Sequence, residues 1–576
     1  MFDSIVITPL NIIFQEIVSS TSPIALDTET DGLDYTKNKA FGISLAFADR
    51  SYFLRNSIYG TEQIADFLSK VLKLDRTFLL HNSKFDAHMI KNTYNQLLPF
   101  NKVHDTFTIS YLYDNETSHE LKALACTHLQ YDANKYELGV KDFLIKNKIA
   151  NYAFVPHHLM DVYARKDSEY TLKLFSILYP RLSYNEKQWY NIEQEITRIV
   201  FEMENRGILI DVKYTSDLKK TVEELLLQLQ KQIYEIAEYR IDILSTEQVG
   251  DILYKKFKLP IYHRTNSTEA HPDGQPVVDE MALKQLNHPL AKLILRYRKA
   301  HKLLSYCDNF LNVDSNNRLH PTWNPLGTIT GRMSSRDPNF QNVTKDQVLH
   351  RCIISDKSLT EMDYSQLEFR IGAHVAQESN VIRQYQQNPD TDFHKTVAYL
   401  MYNVPIDQVT DKQRYSGKQL NFGIMYGEGI DKLASNLGVS KEEAYYKKEM
   451  YFNKFPALRE TIAKYKREKA EKGCVVNLFG RTIHVSKALD YAVWNYLIQG
   501  GASDLTKVTL VNLVKYFGNT LNIINTVHDS IYVENLESKY LPDFKRIAED
   551  FNFSVPIRAL FKRSNFDLGS MKEITV

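Results

Sequence analysis

The sequence predicts a multidomain protein of mixed α/β (α+β) class. Three observations lead to this prediction: a length of 576 residues, short apolar runs alternating with helix-like stretches towards both ends, and long amphipathic segments between them. One hydrophobic core seldom serves more than about 250–300 residues, so several domains are expected. The 43% hydrophobic and 24% charged residues are ordinary for folded domains, which argues against a disordered or fibrous protein.

The periodicity of apolar residues divides the chain into three regions. Residues 1–185 have the pattern of a compact α/β domain, with strand-like runs at 24–26, 40–48 and 77–80. Residues 186–310 are mainly helical, with an irregular, Pro-containing insert at 262–277. Residues 311–576 return to a mixed α/β pattern.

The sequence carries no signal for a membrane or a secreted location. It has no run of 18 or more apolar residues, and its start, MFDSIVITPL, has an acid where a signal peptide has basic residues. Cys126, Cys307, Cys352 and Cys474 lie too far apart for a CxxC pair or a zinc site, so we interpret them as reduced thiols. We expect no membrane partner and a cytoplasmic location.

The net charge of +1 hides a local concentration of positive charge. Residues 281–307 contain no Asp or Glu, and their basic residues follow a helical pattern. A solvated helix face usually mixes both signs, so this face favours contact with phosphate over a plain surface helix. The basic residues are Lys284, Lys292, Arg296, Arg298, Lys299 and Lys302.

Two acids close the first strand-like run. In PIALDTETDGL, Asp27 and Glu29 are two residues apart, so on a strand both side chains project from the same face. Such pairs also occur on plain solvated strand edges. The pair alone therefore does not indicate a catalytic site, and the segments that follow supply the further evidence.

Two later segments add residues of matching chemistry. In TFLLHNSKFDAHMI, Asn82 is expected to cap a helix whose first turn contains Asp86. In DVYARKDSEYT, Tyr163 and Asp167 are four residues apart and share one helix face, although Tyr163 could also be a half-buried core residue. The four acids of these segments suit two hard divalent cations, which prefer oxygen ligands.

A second group of candidate residues lies in the C-terminal region. LTEMDYSQLEFRIGAHVA begins as a strand and turns at Ser365 into an amphipathic helix, which places Asp363 at the strand end. LNIINTVHDSIYVEN contains two β-rich runs that flank His528, Asp529 and Ser530. This pattern predicts a hairpin with Asp529 at its tip.

Between these segments, RYSGKQLNFGIMYG carries Arg414, Lys418, Phe422 and Tyr426 at a spacing of four residues. On a helix they form one winding stripe, on which the two like charges repel by about 0.2–0.5 kcal/mol. A triphosphate would compensate this repulsion, and the two aromatic rings offer flat faces for a base and a sugar. A basic surface helix would explain the charges but not the aromatic residues.

The segments DTE, NSKFD and YARKD resemble the three motifs of the DEDD proofreading nucleases, in their tyrosine-containing variety. The resemblance implies a ribonuclease H-like 3′-5′ exonuclease domain over residues 1–185, acting on a single-stranded DNA 3′ end. It also implies that two magnesium ions, for which Mn²⁺ can substitute, are held by four acids, and that Tyr163 orients the attacking water. The four acids are Asp27, Glu29, Asp86 and Asp167.

The segments around Asp363, the stripe and Asp529 closely resemble motifs A, B and C of the family A DNA polymerases, the DNA polymerase I class. The resemblance implies a right-hand polymerase, with a thumb at 186–310, palm and fingers at 311–576, and an antiparallel palm sheet. Such an enzyme extends a primer on primer-template DNA with deoxynucleoside triphosphates. Asp363, Asp529 and the carbonyl of Tyr364 would hold two magnesium ions, and Lys418 would protonate the departing pyrophosphate.

Further segments resemble parts of the same family that touch substrates. TGRMSSRDPNFQNV implies contact with primer and template, DFHKTVA with the incoming triphosphate, and NYLIQGGASD with the minor groove at the nascent pair. The substrate-contacting residues implied by the resemblance are Arg414, Phe422, Tyr426, Gln366, Glu368, His394, Arg332, Gln341, Asn342, Asn495, Gln499 and His528.

Glu368 has two interpretations. SQLE matches a helix capping box, in which the Glu368 carboxylate would accept a hydrogen bond from the Ser365 amide. By the resemblance, Glu368 instead blocks the space of a ribose 2′-hydroxyl. We favour the block.

The sequence departs from the family pattern in motif C. This motif usually has a glutamine and a final acid around its central aspartate, where this chain has Thr526 and Ser530. The chain also begins almost at the exonuclease motifs, so we expect no 5′ nuclease domain, as in short phage-type replicases. We expect a monomer in a bacterial cell or a phage-infected host, with an organelle as the alternative, and a processivity partner is not identified.

Two other functions compete with this interpretation. A nuclease could use the C-terminal half only to bind DNA, but the intact Asp363, Lys418 and Asp529 argue against this. A single-subunit RNA polymerase shares the two palm aspartates, but Glu368 and the exonuclease motifs oppose it.

Overall fold

The computed structural model describes residues 7–265, 267, 271–343 and 346–576. Within these residues, no helix combines the length and the apolar character needed to cross a membrane. All four cysteines are free thiols, as predicted.

The N-terminal domain is a sheet covered by helices on both faces. Its strands are β1 (Ile24–Thr30), β2 (Ala40–Phe47), β3 (Arg50–Arg55), β4 (Phe78–Leu80) and β5 (Val103–Asp105). Its helices are α1 (Leu10–Ser19), α2 (Asn56–Tyr59), α3 (Thr61–Val71), α4 (Ser83–Tyr94), α5 (Thr106–Tyr113), α6 (Leu121–Leu129), α7 (Asn134–Asn147) and α8 (His157–Leu178).

The strand order is β3-β2-β1-β4-β5. β1, β2 and β3 are antiparallel neighbours, whereas β4 runs parallel to β1 and β5 parallel to β4. β1 is the central strand, and both of its faces are covered. Ile24 and Leu26 are buried against one layer of helices, and Ala25 packs near α8 on the other face. This arrangement is the ribonuclease H-like fold that the resemblance implies.

The middle region is helical, as predicted. Its elements are α9 (Tyr184–Arg206), β6 (Ile208–Leu209), α10 (Val212–Ala237), α11 (Thr246–Gly250), a π-helix (Asp251–Lys256), α12 (Glu280–Gln285) and α13 (Pro289–Phe310). The long helices α10 and α13 pack along each other. The predicted irregular insert contains the isolated bridge between Arg264 and Pro276 in its described part.

The basic surface of this region is smaller than the sequence predicts. Arg298 turns inward and donates hydrogen bonds to the backbone carbonyls of Ile243 and Val278. Lys284 lies on the separate helix α12 and pairs with Glu280. The exposed basic residues of α13 are Lys292, Arg296, Lys299 and Lys302.

The C-terminal region contains an antiparallel sheet surrounded by helices. The strands of the whole region are β7 (Arg318–Leu319), β8 (Thr322–Asn324), β9 (Ser334–Arg336), β10 (Leu359–Tyr364), β11 (Cys474–Val476), β12 (Thr482–His484), β13 (Asn522–Val527), β14 (Ser530–Glu534), β15 (Ala559–Ser564) and β16 (Lys572–Ile574). Five of them form the main sheet, in the order β13-β14-β10-β15-β16, which is antiparallel throughout, as implied for a palm.

The helices of this region lie before and between the strands of that sheet. They are α14 (Gln347–His350), α15 (Leu367–Ala376), α16 (Ser379–Gln387), α17 (Phe393–Tyr402), α18 (Asp411–Met425), α19 (Ile430–Leu437), α20 (Lys441–Lys454), α21 (Pro456–Lys472), α22 (Val493–Phe517) and α23 (Leu541–Glu549).

Helix α9 connects the N-terminal and C-terminal domains. It begins with a capping box between Ser183 and Glu186 and packs against α4 and α5 on one side and β8, β13 and α22 on the other. Residues 184–206 therefore link the two domains, and most of them lie within 186–310, the range that the sequence predicts for the thumb.

A buried ion network fixes α9 to α22 and to Arg481, which directly precedes β12. The Glu193 carboxylate accepts hydrogen bonds from Lys507 Nζ at 2.8 and 2.9 Å and from Arg481. Arg481 also donates to Asp504 at 2.7 Å. All four side chains are at most 1% exposed, so each charge depends on its partners for solvation.

We predict that Glu193→Gln lowers the free energy of unfolding by about 3–5 kcal/mol, because it leaves two buried cations with one acid. Equilibrium denaturation measures the change. Glu195→Gln is the control, since Glu195 lies on the same helix with a side chain that is 40% exposed, and such a surface pair contributes about 0–1 kcal/mol. Equal effects of the two substitutions would contradict a stabilising role for the network.

Candidate active sites

The first candidate site is an acid cluster where β1 meets α8. Oxygen atoms of Asp27, Glu29 and Asp167 all lie within 4.8 Å of one another, a grouping that could hold a metal ion. The period-two spacing on β1 places the first two acids together, as predicted, and α8 brings the third across the sheet.

Asp86 joins this cluster through α4. Its Oδ1 accepts hydrogen bonds from the amide and the hydroxyl of Thr28, at 2.9 and 2.6 Å. Thr28 lies between Asp27 and Glu29, so these bonds fix the fourth acid to the strand that carries the first two.

The prediction that the Asn82 side chain caps α4 is wrong. Asn82 occupies the N-cap position with a left-handed backbone (φ 65°), and its side chain makes no capping bond. Instead, the Asp105 carboxylate accepts hydrogen bonds from the amides of Asn82 and Ser83, at 2.9 and 2.7 Å. The helix start is therefore held by a carboxylate from the neighbouring strand.

The electrostatics of the cluster fit a bound cation. Burial raises the pKa of Asp27 to about 6, and burial together with the nearby carboxylates raises the pKa values of Glu29 and Asp86 well above their usual range. Glu29 Oε1 is buried without a hydrogen-bond partner. Acidic oxygens that lack donors are the ligands that hard divalent cations prefer.

Tyr163 lies beside the acids, as its spacing from Asp167 predicts. Lys122 of α6 forms an ion pair with Asp167, and its Nζ stands 4.5 Å from the centroid of the Tyr163 ring. Sequence reasoning missed Lys122 because nothing in its local segment relates it to residues 41 and 45 positions further along the chain.

The second candidate site is built on the C-terminal sheet. Asp363 near the end of β10 lies opposite Ser530 of β14, and the hairpin turn between β13 and β14 consists of His528 and Asp529. Asp529 is thus at the tip, as predicted. Burial and the nearby Asp363 carboxylate raise the pKa of Asp529 to about 7.

Ser530 gives a structural reason for one departure from the family pattern. Its hydroxyl donates a hydrogen bond of 2.5 Å to Asp363 Oδ1, where a third acid would add repulsion between like charges. The serine therefore orients one of the two aspartates. The Tyr364 side chain anchors the same strand by its hydroxyl contacts with Thr509 and Ala548.

Gln341 braces the hairpin, and its contact with duplex DNA stays a prediction. Its Nε2 donates to the Thr526 carbonyl, and its Oε1 accepts from the His528 amide, both at 2.9 Å. The side-chain amide is therefore used inside the protein. The side chain of Asn342 lies outside the described part of the chain.

A cleft of about 370 Å³ brings predicted residues from distant segments together. Its wall includes Asp529 from the hairpin, Lys418, Phe422 and Tyr426 from the stripe, and several side chains from other elements. The further predicted residues that line it are Arg332, Gln366, Glu368, His394 and His528.

The stripe follows helix α18 and ends at its C-cap, Tyr426. Lys418 Nζ stands 5.5 Å from the Phe422 ring, and the rings of Phe422 and His394 are 5.6 Å apart. Arg414 does not line the cleft: it forms an ion pair with Asp392 at 2.5 Å. That pair supplies part of the compensation that the sequence assigned to a bound anion.

Glu368 faces the cleft and does not form the capping box. Helix α15 begins at Leu367, its N-cap Gln366 makes no side-chain capping bond, and the Ser365 amide donates to the Arg558 carbonyl. The Glu368 carboxylate instead accepts from Arg332 and from the Tyr426 hydroxyl, the latter at 3.2 Å. The capping interpretation is therefore wrong.

Other predicted residues have less direct positions. The Gln366 side-chain oxygen accepts hydrogen bonds from the Tyr385 hydroxyl and the Phe393 amide, and its Nε2 donates to the Thr391 carbonyl. The side chain therefore joins α15 to α17 while it lines the cleft. Asn495 and Gln499 are half-buried, share one face of α22 and do not line the cleft.

Asn421 and Asp392 are residues in or near the cleft wall that the sequence did not single out: both are bonded to, or lie next to, cleft residues. Asn421 lines the cleft and lies 3.4 Å from the His394 ring nitrogen. Asp392 caps the helix that begins beside His394 and pairs with Arg414. The position of Asn421 three residues after Lys418 on a helix was a usable signal, whereas the Asp392 pair depends on tertiary packing.

Comparison with known proteins shows that the two parts of the chain that carry these sites each match a protein family. Residues 212–561 match the model of DNA polymerase family A, and residues 9–183 match that of a 3′-5′ exonuclease. DNA polymerase I of Pseudomonas aeruginosa is 28% identical over 555 residues, covering 89% of this chain and 59% of the relative. The thermostable DNA polymerase I of Thermus aquaticus is 31% identical over 385 residues, covering 63% of this chain and 46% of the relative.

The chain thus spans about half the length of the relatives it matches. Among solved structures, the POL domain of Pol1 from M. smegmatis, in complex with DNA primer-template and dNTP, superposes with a TM-score of 0.82 and 24% identity. That likeness covers 98% of this chain and 99% of the other and supports the fold. Since the polymerase model matches more than half of the 576 residues, the chain belongs to DNA polymerase family A and carries a 3′-5′ exonuclease domain.

Proposed function

We propose that this chain is a DNA-directed DNA polymerase that extends a primer 3′-hydroxyl and removes misincorporated nucleotides with its 3′-5′ exonuclease. The observation that carries the proposal is the cleft, in which Asp529, Lys418 and Phe422 meet from separate segments. A nuclease that used this half only to bind DNA would not need an aspartate, a lysine and an aromatic ring around one cavity.

In the proposed reaction, the incoming deoxynucleoside triphosphate lies along α18. The ammonium of Lys418 neutralises the phosphates and gives a proton to the departing pyrophosphate. Phe422 faces the sugar, and Glu368, held by Arg332 and Tyr426, fills the space of a 2′-hydroxyl. The primer end lies near Arg332, beside the two aspartates.

In the proposed proofreading reaction, the four acids at β1, α4 and α8 surround the terminal phosphodiester of a single strand. Tyr163 orients the water that attacks the phosphorus. Magnesium ions would be held by these acids and by Asp363 with Asp529, where they would lower the charge that develops during phosphoryl transfer. The short distances among Asp27, Glu29 and Asp167, and the effect of the Asp363 charge on Asp529, support both parts of this proposal.

We predict that Asp363→Ala or Asp529→Ala abolishes nucleotide incorporation and leaves single-strand digestion intact, because each removes an acid from one site alone. The matched control is Glu573→Ala, an exposed carboxylate at the edge of the same sheet. Primer extension and single-strand digestion are measured on the same preparations. Loss of both activities in a folded Asp363→Ala protein would contradict two separate sites.

The converse change is Asp27→Ala combined with Glu29→Ala. It should silence 3′-5′ digestion and raise the error rate while preserving extension, with Asp66→Ala on the exposed face of α3 as the control. Continued digestion by the double variant would show that the nuclease lies elsewhere.

Glu368→Ala should raise ribonucleotide use relative to deoxynucleotide use, because it opens the space of the 2′-hydroxyl. Since Glu368 does not cap α15, we expect no loss of a helix cap. The measurement is the ratio of kcat/KM for the two sugars. An unchanged ratio would mean that Glu368 serves only to hold Arg332 and Tyr426.

Phe422→Tyr should raise the use of dideoxynucleotides. A normal substrate can donate a hydrogen bond from its 3′-hydroxyl to its own phosphates, and a tyrosine hydroxyl replaces that donor when the 3′-hydroxyl is missing. A hydrogen bond to a charged group contributes about 1.5–3 kcal/mol, which is roughly 10- to 150-fold in relative kcat/KM. The ratio is measured in the Asp27→Ala/Glu29→Ala background, and a change below about twofold would contradict the placement of the stripe against the sugar.

A further inference from the structure

Lys122 is a buried cation inside the acid cluster of the N-terminal domain. It lies on α6, its side chain is 15% exposed, and its ammonium pairs with Asp167. The same ammonium stands 4.5 Å from the centroid of the Tyr163 ring, within the range of a cation–π contact. One side chain from outside the family motifs thus touches both motif residues of α8.

The basic residues next to Asp167 on α8 do not compete for this role. Arg165 pairs with Asp161 at 2.7 Å, and Lys166 pairs with Glu169 at 2.7 Å. Lys122 also feels the charges of Asp27 and Glu29 on the facing strand. Its charge therefore acts on the acids from both elements that form the cluster.

We propose that Lys122 is a positioning residue of the exonuclease site, where it holds the Asp167 carboxylate and the Tyr163 ring in place and offsets the charge of the clustered acids. The proposal rests on the proposed exonuclease function. A neutral side chain of the same length cannot offset the charge of these acids.

This role affects metal binding and turnover in opposite directions. Even at the dielectric constant of water, a monovalent and a divalent cation about 6 Å apart repel enough to weaken metal binding about tenfold. Removing the ammonium should therefore tighten metal binding. It should also slow digestion by about 10- to 100-fold, the usual effect of losing a group that orients metal ligands.

The test compares Lys122→Met and Lys122→Arg with Lys173→Met. Lys173 is an exposed lysine of α8 whose Nζ stands 5.0 Å from the Tyr131 ring, so its substitution removes the same kind of contact away from the acids. Binding of Mn²⁺ is measured by calorimetry in the Asp363→Ala/Asp529→Ala background, where it reports the N-terminal acids. The rate of single-strand digestion is measured at saturating metal.

The expected result for Lys122→Met is about tenfold tighter Mn²⁺ binding with slower digestion. Lys122→Arg should recover most of the digestion rate, and Lys173→Met should change neither quantity. Primer extension by Lys122→Met in the otherwise unchanged chain verifies folding.

Weaker Mn²⁺ binding together with slow digestion would overturn the proposal, because a merely structural lysine produces that pattern. Unchanged binding or an unchanged rate would overturn it as well. If the parent protein does not digest single strands, the proposed exonuclease function is wrong. The Mn²⁺ titration then still shows whether the charge of Lys122 weakens cation binding at these acids.

Discussion

The convergence of like-charged carboxylates at two places is the constraint on which the rest of the structure depends. Asp27, Glu29 and Asp167 meet within 4.8 Å, and Asp363 raises the pKa of Asp529, in addition to the effect of burial. Such groupings cost free energy, which the rest of the fold must supply and which nearby cations reduce. Strands hold the acids in place here, because β1 and β10 are central strands of their sheets. Lys122 pairs with Asp167, and the charge of Arg332 acts on Asp529.

The two sites share one frame through helix α9. Towards its end, the buried Glu204 accepts hydrogen bonds from Lys84 and His88 of α4 and from the amide of Trp323 in β8. Glu193, nearer its start, pairs with Lys507 of α22. The helix thus ties α4, which carries Asp86, to elements of the C-terminal region, so the two candidate sites keep a fixed relation while using separate acids.

The sequence predicted what depends on local periodicity. The same-face pair on β1, the four-residue spacing on α8 and the hairpin at Asp529 follow from strand and helix geometry. It failed at the cap of α4, where the Asp105 carboxylate from a neighbouring strand replaces the Asn82 side chain. At Glu368 the local partner was the less favoured interpretation, and the carboxylate accepts hydrogen bonds from the distant Arg332 and Tyr426. Lys122 was missed because α6 reaches the acids only after the domain has folded.

We propose that one chain holds two separate carboxylate sites for divalent cations. The most direct measurement is anomalous X-ray diffraction from crystals soaked in Mn²⁺ with primer-template DNA and a non-hydrolysable deoxynucleotide. We predict anomalous peaks beside Asp27, Glu29 and Asp167, and a second group beside Asp363 and Asp529. Peaks confined to one of these places, or manganese bound by other residues at full occupancy, would contradict it.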